Sequence, residues 1–220
     1  MLYVYMFPLY IFLFLALFLA RGGVSALALL AISASPRKGG NSEQVLNSFV
    51  GGASTAGRET EIIRLNGLNF RPCQACGLCA ATGKCVLKDD MQFIYPKLLS
   101  CEGLVISTPI FFGTIPAQLK MFIDRFQCWW YAKFKLKKPF IPNEGKKYAF
   151  FISVGALKKK EHYQCAQDVV EVFFHVANFQ RKGSLLFRGY DEKGSITREP
   201  QNLQKAFQAG IDFVTSLHQR

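Results

Sequence analysis

The chain has 220 residues, of which 50% are hydrophobic and 14% aromatic, a composition that excludes a disordered chain and favours one domain with a sizeable core. Lys and Arg outnumber Asp and Glu by 27 to 15, which gives a net charge of +12. A surface of this charge favours anionic partners such as nucleotides, nucleic acid, acidic redox proteins or anionic lipid headgroups, and charge alone does not choose among them.

The first twenty residues, MLYVYMFPLYIFLFLALFLA, carry no charge and are long enough to cross a bilayer. Basic residues follow this run and none precedes it, so the positive-inside rule predicts a membrane anchor that leaves the main domain on the cytoplasmic face. The alternative is a misassigned start, with translation beginning at Val24. A cleaved signal peptide fits less well because the basic n-region is missing. We therefore separate residues 1–24 from a domain over residues 25–220.

Apolar strands alternate with amphipathic helices along that domain. Strands are predicted over residues 25–33, 59–65, 101–109, 146–155 and 183–189, and helices over 41–57, 89–100, 116–131, 162–179 and 199–218. Pro96 is expected to kink or shorten the second helix. The alternation predicts an α/β, three-layer sandwich around a five-stranded parallel sheet. The flavodoxin-like strand order 2-1-3-4-5 is expected because it places the half-polar second strand at an edge of the sheet.

Residues 131–147, YAKFKLKKPFIPNEGKK, interleave basic and aromatic side chains without a strong helical period. The simplest interpretation is a solvated loop between a helix and a strand. The functional alternatives are a dimer contact beside the cofactor and a surface that docks an acidic partner.

The first predicted strand ends in SASPRKGGNS, residues 33–42, and leads directly into a helix. In an open α/β sheet, ligands bind beyond the carboxyl ends of the strands, where a helix N-terminus offers amides and a positive dipole to a phosphate. The loop fits neither the dinucleotide fingerprint nor the P-loop consensus, and it suits a terminal monophosphate such as that of FMN. Asn41 is expected to cap the helix or to reach the phosphate. The alternative is an ordinary capped turn. The candidate phosphate residues are Ser33, Ser35, Arg37, Asn41 and Ser42.

The third predicted strand ends in a loop that lies across the sheet edge from the first one. The amides of residues 110–113 are candidates for hydrogen bonds to the pyrimidine edge of a flavin, and the phenylalanines are candidates for packing on its ring. Taken alone, Phe111 and Phe112 would be interpreted as core aromatics, but the neighbouring phosphate loop favours the flavin. The candidates in this loop are Pro109, Ile110, Phe111, Phe112, Gly113 and Thr114.

Four of the seven cysteines lie within thirteen residues, in the segment PCQACGLCAATGKC. The C-x2-C-x2-C spacing of Cys73, Cys76 and Cys79 is the one by which ferredoxin loops hold a cubane cluster, and Cys85 can supply the fourth thiolate. Zinc usually takes two separated C-x2-C pairs, and a redox disulfide needs only two cysteines. Thiols without a cluster and a zinc site stay open as alternatives. The scattered cysteines, Cys101, Cys128 and Cys165, fall in apolar patterns and are predicted to be buried.

The motifs ISASPRKGGNS, C-x2-C-x2-C-x5-C, KDDMQ and STPIFFGTIPAQLKMFIDR together resemble the NAD(P)H-dependent FMN reductase superfamily, and within it the iron–sulfur flavoprotein branch. The resemblance covers residues 25–125, and RGYDEKGSI (188–196) extends it weakly. It implies a flavodoxin-like fold with FMN at the strand ends, a homodimer or homotetramer, and a 4Fe–4S cluster on Cys73, Cys76, Cys79 and Cys85. The segment SVGALKKKEHY lacks the glycine-rich stretch often found there, so flavin contacts from that loop are not predicted.

The leading hypothesis is an FMN-dependent oxidoreductase of the iron–sulfur flavoprotein type. It would pass electrons between NAD(P)H or a ferredoxin-like donor and an acceptor, which is a redox protein or a small molecule. The first alternative is an NAD(P)H-dependent FMN or quinone reductase without a cluster. A zinc-stabilised nucleic-acid-binding module has only charge in its favour, so no nucleic-acid partner is expected. The cofactor carries the reaction, so no catalytic side chain is predicted, and His162, His175 and His218 are expected to be structural or solvated.

Overall fold

The computed structural model describes residues 29–142 and 147–218. Its centre is a sheet of five parallel strands in the order β2-β1-β3-β4-β5, which confirms the predicted topology. The half-polar second strand lies at an edge, as its composition required. The strands are β1 (Leu29–Ser33), β2 (Thr60–Arg64), β3 (Gly103–Pro109), β4 (Lys147–Gly155) and β5 (Phe179–Arg188).

Helices cover both faces of this sheet. They are α1 (Asn41–Thr55), α2 (Met91–Ser100), α3 (Ala117–Asp124), α4 (Gln127–Trp130), α5 (Gln164–Val176) and α6 (Pro200–His218). Successive side chains of a strand point to opposite faces, so Leu30 and Ile32 pack with α2, α3 and α5, whereas Leu29 and Ala31 pack with α1 and α6. Two apolar cores therefore enclose the sheet and fix the strand ends.

Helices α1 and α6 approach each other closely through a pair of glycines. A Cβ atom on Gly52 would lie 1.9 Å from the carbonyl oxygen of Phe207, and one on Gly210 would lie 2.0 Å from that of Phe49. Only residues without a side chain fit at such a contact. The contact holds α1 in place along its length, and α1 begins at the carboxyl end of β1.

Several predicted boundaries differ from those of the structure. The fourth predicted helix was expected to continue to Phe179, but α5 ends at Val176 and β5 already begins at Phe179. Asn178 adopts a left-handed conformation with φ of 58°, which stops the helix, and Phe179 is buried in the core. Helix α2 begins two residues later than predicted and continues past Pro96 to Ser100.

The helix predicted over residues 116–131 is interrupted after Asp124. The amides of Arg125 and Phe126 donate to the carbonyl oxygens three residues earlier, those of Phe122 and Ile123, at 3.2 and 3.0 Å, so the chain tightens where α3 ends. The chain resumes as α4 and continues as a π-helical turn over Tyr131–Lys135, so the predicted loop 131–147 is helical at its start.

Within the part of the chain that the structure describes, no helix is both long and apolar enough to cross a membrane. The predicted anchor, residues 1–20, lies outside the described residues. The same is true of residues 25–28 of the first predicted strand.

Candidate functional site

A cavity of about 100 Å³ lies at the carboxyl ends of β1, β3 and β4 and under the segment that follows β5. We call it the strand-end cavity. Its lining includes seven of the eleven predicted cofactor residues, namely Ser35, Arg37, Asn41, Ser42, Pro109, Ile110 and Phe111. Gly40, Val154, Gly155, Ala156, Tyr190 and Asp191 complete the wall. Two loops that are 67 or more residues apart in sequence therefore meet at the predicted edge of the sheet.

The first loop presents the beginning of α1 to this cavity. Gly40 is the N-cap, and its carbonyl oxygen accepts the amides of Glu43 and Gln44 at 3.1 and 3.0 Å. The amides of Asn41 and Ser42 lie in the first turn of α1, where backbone amides have no intrahelical partner. They lie at the positive end of the helix dipole, which favours an anion at this position.

Ser35 and Arg37 form the outer part of the same loop. The Ser35 hydroxyl oxygen accepts the Arg37 amide at 3.2 Å, which turns the chain toward the helix. The Arg37 guanidinium reaches across the cavity to the carbonyl oxygen of Asp191, 3.4 Å away, and its side chain stays accessible. A bound phosphate can therefore be met by one charged side chain, one hydroxyl and free amides.

Asn41 does not cap α1, because the N-cap is Gly40, so that expectation is wrong. Its carboxamide instead holds the segment after β5: Nδ2 donates to the carbonyl oxygen of Glu192 at 2.8 Å, and Oδ1 accepts the amide of Ile196 at 3.2 Å. Asn41 thus lines the cavity while its polar atoms tie a distant segment to the phosphate loop.

Ser33 lies beneath the cavity and does not line it. It is the last residue of β1 and is buried, beside Ser107 of β3 in the parallel register. The Ser107 hydroxyl donates to the carbonyl oxygen of Ser42 at 2.8 Å, so a buried hydroxyl fastens the first turn of α1 to the sheet. Ser107 therefore supports the phosphate loop from below.

The second predicted loop is a tight turn over residues 111–114. Phe111 and Thr114 exchange amide-to-carbonyl hydrogen bonds at 2.9 and 3.0 Å, and the two residues between them have φ of 50° and 76°, as in a type I′ turn. The Ile110 amide donates to the carbonyl oxygen of Val154 at 2.9 Å. Two of the four amides assigned to a flavin are therefore engaged within the chain, and those of Phe112 and Gly113 remain at the tip of the turn.

Phe112, Gly113 and Thr114 do not line the strand-end cavity. The Phe112 side chain is fully exposed, and Phe111 is 45% exposed at the cavity rim, so neither phenylalanine is a core aromatic.

The sequence-based reasoning missed the part of the wall that comes from β4 and from the segment after β5. The carbonyl oxygen of Gly155 accepts the amides of Gly189 and Tyr190 at 2.8 and 3.0 Å, which brings that segment over the cavity. Because ligands bind beyond the carboxyl ends of parallel strands, the position of Gly155 at the end of β4 already indicates that it lies near the site. The sequence RGYDEKGSI supports the family resemblance, but its pattern assigns no role to Tyr190 or Asp191.

The four clustered cysteines line a second cavity of about 300 Å³, which we call the cysteine cavity. Cys73, Cys76, Cys79 and Cys85 all contribute to it as free thiols. Burial is the largest influence on the pKa of Cys79 and raises it, and the three other thiols raise it further because they lie nearby. Over residues 29–142 and 147–218, no three Cys, His, Asp or Glu side chains stand close enough to hold a metal ion as they are placed. The donor chemistry and the shared cavity fit a sulfur-ligated group.

Arg125 forms part of the wall of the cysteine cavity, although its side chain is fully buried. Its Nη1 donates to Asp89 Oδ2 at 2.5 Å and to the carbonyl oxygen of Arg71 at 2.8 Å, and its Nη2 lies 3.5 Å from Cys85 Sγ. Burial alone would raise the pKa of Asp89, but the hydrogen bond and charge of Arg125, with the amides of Arg71 and Met91, outweigh it and lower that pKa.

The scattered cysteines and the histidines are assigned neither to FMN binding nor to the four-cysteine set. Cys101 is buried as predicted, and burial raises the pKa of its thiol to about 12. Cys128 is also buried as predicted and touches the cysteine cavity. The prediction for Cys165 is wrong, since this residue is exposed on α5 with its thiol 3.5 Å from Thr114 Oγ1. His162 and His175 are exposed, in line with the expectation for them.

A family model described as NADPH-dependent FMN reductase matches residues 27–194. The chain is 39% identical over 94 residues to the iron–sulfur flavoprotein of Methanosarcina thermophila, an alignment that covers 43% of this chain and 49% of that protein. It is 36% identical over 96 residues to an iron–sulfur flavoprotein of Methanocaldococcus jannaschii, covering 44% and 50% of the two chains. The chain thus spans about half the length of these curated relatives.

Solved structures share the fold. The NAD(P)H:quinone oxidoreductase from Methanothermobacter marburgensis superposes with a TM-score of 0.64 at 20% identity, covering 86% of this chain and 100% of that one. At this level of identity the likeness concerns the fold alone.

Proposed function

Because the chain belongs to the NADPH-dependent FMN reductase family, we propose that it is a flavin oxidoreductase that binds FMN at the strand-end cavity and takes NAD(P)H as its reductant. One observation carries this proposal: free amides of a helix N-terminus, Ser35 and Arg37 meet the loop after β3 at the carboxyl edge of the sheet. When bound, FMN supplies the hydride acceptance and the onward electron transfer.

The strand-end cavity is too small for the whole of FMN, so the phosphate and the ring would occupy different regions. Complete ligand pockets usually measure about 300–1,000 Å³, so a cavity of about 100 Å³ suits the phosphate-bearing end of FMN. The phosphate would contact the amides of Asn41 and Ser42 together with Ser35 and Arg37. The ring would lie outside the cavity along the turn 111–114, where the exposed Phe111 offers an apolar face and the Phe112 and Gly113 amides offer donors. Protein side chains bind and orient the cofactor, and none is assigned as a proton donor.

FMN titration of the purified protein, followed by quenching of flavin fluorescence, tests this site. A hydrogen bond to a charged group contributes about 1.5–3 kcal/mol, so Arg37→Ala is expected to weaken FMN binding roughly 10- to 100-fold. Arg58→Ala, which removes a surface arginine paired with Glu102, is the matched control and should bind FMN normally. Wild-type protein that binds no FMN, or equal affinity in the Arg37 variant, would contradict the proposal.

We further propose that Cys73, Cys76, Cys79 and Cys85 hold a 4Fe–4S cluster. The names of the two relatives, the C-x2-C-x2-C spacing and the convergence of four free thiols on one cavity support this assignment. A cluster there would supply single-electron exchange. The thiolates would ligate the iron.

Iron and sulfide analysis of anaerobically purified protein tests the cluster. Cys76→Ser is expected to lose the iron and the visible absorbance of the cluster while retaining FMN. Cys165→Ser is the matched control because Cys165 is exposed and lies outside the cysteine cavity. Wild-type protein that contains FMN and no iron would favour the alternative, a cluster-free NAD(P)H-dependent FMN or quinone reductase.

We propose a redox partner with an acidic surface, such as a ferredoxin-like protein. A basic segment borders the cysteine cavity: Tyr131 lines the cavity, and Gly83 of the cysteine loop packs against Ala132. Lys84, Lys135 and Lys137 are exposed and form no ion pair among the described residues. Opposite charges steer association, so reduction of a ferredoxin should slow with rising salt.

Charge reversal tests the partner surface. Lys135→Glu combined with Lys137→Glu should slow ferredoxin reduction and leave the reduction of a small acceptor unchanged. Lys205→Glu, an exposed change on α6, is the control and should leave both rates unchanged. An unchanged ferredoxin rate in the double variant would contradict this surface.

The assembly and the membrane association stay proposals of their own. Exposed apolar side chains around the cysteine loop, Leu78, Val86 and Phe93, support a homodimer or homotetramer, which sedimentation of the protein would test.

The uncharged run over residues 1–20 supports attachment of the 25–220 domain to the cytoplasmic face of a membrane. Flotation of the full chain with lipid vesicles, compared with a chain starting at residue 25, would test that attachment.

A further inference from the structure

Arg125 is a fully buried cation, and it belongs neither to the proposed FMN contacts nor to the proposed cluster ligands. Burying a charge is costly unless the charge is paired and hydrogen-bonded. The ion pair with Asp89 meets part of that cost, yet Nε of Arg125 is buried without a hydrogen-bond partner among the described residues. A guanidinium kept in this position at such a cost points to a role in the adjoining cysteine cavity.

The partners of Arg125 lie on both flanks of the cysteine loop. Arg71 precedes Cys73 by two residues, and its carbonyl oxygen accepts Nη1 at 2.8 Å. Cys85 is the last of the clustered cysteines, and Nη2 contacts its sulfur at 3.5 Å. Asp89 follows the loop and accepts the Arg71 amide at 3.1 Å as well as Nη1. One guanidinium at the end of α3 therefore joins the two ends of the loop.

We propose that Arg125 is a positioning residue of the cysteine cavity: it holds Cys85 in place as the fourth ligand and raises the reduction potential of the cluster by donating a charge-assisted hydrogen bond to that sulfur. This inference rests on the cluster proposed above. An added electron increases the negative charge on the ligating sulfurs, and a cationic donor shielded from water stabilises that charge. Asp89 opposes the effect because its carboxylate lies beside the same cation.

Two substitutions are expected to shift the potential in opposite directions. Arg125→Lys keeps a positive charge that can pair with Asp89 but loses the planar fork that reaches Cys85, so the potential should fall. Asp89→Asn keeps an oxygen acceptor and removes the opposing negative charge, so the potential should rise. A tenfold change in the reduced-to-oxidised ratio is the size of effect expected, which is 59 mV for a one-electron couple.

The potential would be measured by anaerobic titration of the loaded protein followed by electron paramagnetic resonance. Arg58→Lys is the matched control. Like Arg125, Arg58 forms an ion pair and has an Nε that is buried without a hydrogen-bond partner among the described residues, but it lies away from the cysteine loop. If Arg125 and Asp89 only stabilise the fold, both test variants should contain less iron, and their reduction potentials should not shift in opposite directions. Equal potentials in wild type, Arg125→Lys and Asp89→Asn would overturn the proposal.

Hydrogen exchange of the metal-free protein separates this inference from the proposed cluster. The amides of residues 73–85 should exchange faster in Arg125→Lys than in wild type or Arg58→Lys, because the loop loses one of its anchors. Wild-type protein without iron would overturn the cluster and the potential shift together. Unchanged exchange in Arg125→Lys would overturn the positioning role by itself. If Arg125→Lys does not fold, Asp89→Asn still tests the potential.

Discussion

Gly155, the last residue of β4, lies at the wall of the strand-end cavity where a side chain has no room. A Cβ atom there would lie 2.8 Å from the hydroxyl oxygen of Tyr163 and 3.1 Å from the Cβ of Ile110. Tyr163 is completely buried, and its hydroxyl donates to the carbonyl oxygen of Leu157 at 2.6 Å. The tyrosine therefore cannot move aside without losing that hydrogen bond, and Gly155→Ala is expected to destabilise the protein.

The expected loss follows from these contacts. Overpacking a filled core costs about 1–3 kcal/mol, and loss of the Tyr163 hydrogen bond adds about 1 kcal/mol, so Gly155→Ala should lower the free energy of unfolding by about 2–4 kcal/mol. Tyr163→Phe alone should cost about 1 kcal/mol. Because it removes the atom nearest to the new Cβ, the double variant should be less destabilised than the sum of the single variants by about 1 kcal/mol or more.

Urea unfolding followed by circular dichroism measures all three variants. Gly67→Ala is the matched control, since a Cβ at Gly67 meets nothing within 4 Å, and it should change the stability little. Additive costs in the double variant, or a Gly155→Ala protein as stable as wild type, would refute the packing argument. FMN affinity should also fall in Gly155→Ala, because Gly155 holds the segment 189–190 over the proposed site.

Two further predictions concern the helix pair and the buried ion pair. Gly52→Ala should lower the free energy of unfolding by more than about 2 kcal/mol, because its Cβ would lie 1.9 Å from the Phe207 carbonyl oxygen. A Cβ on Gly51 would lie 3.6 Å from the Phe207 ring, an ordinary contact, so Gly51→Ala should stabilise α1 by about 0.5–1 kcal/mol. Equal stabilities of the two variants in urea unfolding would contradict this. The pKa of Asp89 in the folded protein lies below its ordinary value of about 3.9, so its pairing with Arg125 stabilises the protein above that pH and the gain is lost as the pH falls through the folded pKa. Between pH 7 and pH 3 wild type should therefore lose more stability than Asp89→Asn, and equal losses would show that the pair does not contribute.

The fold could be predicted because its signal is local and repeated. Buried parallel strands are continuous apolar runs, and the intervening helices carry an apolar stripe, so the element types and the strand order followed from the sequence. The start of β5 could not be placed, because the apolar pattern of α5 runs on into Phe179 and only the left-handed conformation of Asn178 separates the two elements.

The candidate sites were predictable to the extent that their residues are neighbours in sequence. The phosphate loop, the segment around the end of β3 and the cysteine loop are each continuous in sequence, and each contributes residues to a cavity, although Phe112, Gly113 and Thr114 do not. Tyr190 reaches the strand-end cavity only because backbone hydrogen bonds to Gly155 hold the segment after β5 over it, whereas Gly155 lies there as the last residue of β4. Arg125 fell inside the helix predicted over residues 116–131 and had no assigned role, because its partners Arg71 and Asp89 are 54 and 36 residues away in sequence.

The segment from Pro109 to Arg125 connects the two cavities and explains why they are built differently. Its first residues line the strand-end cavity, and its last residue lies at the cysteine cavity. Between them α3 has eight residues and so extends for about 12 Å as a rigid spacer. The strand-end cavity is shaped by backbone groups that the sheet and α1 already fix, so it needs few dedicated side-chain contacts. Among the described residues the cysteine loop contains no strand or long helix, so its ends are held by side chains of neighbouring elements, with Arg125 bound to Arg71 and Cys85 and Gln92 bound to Cys85.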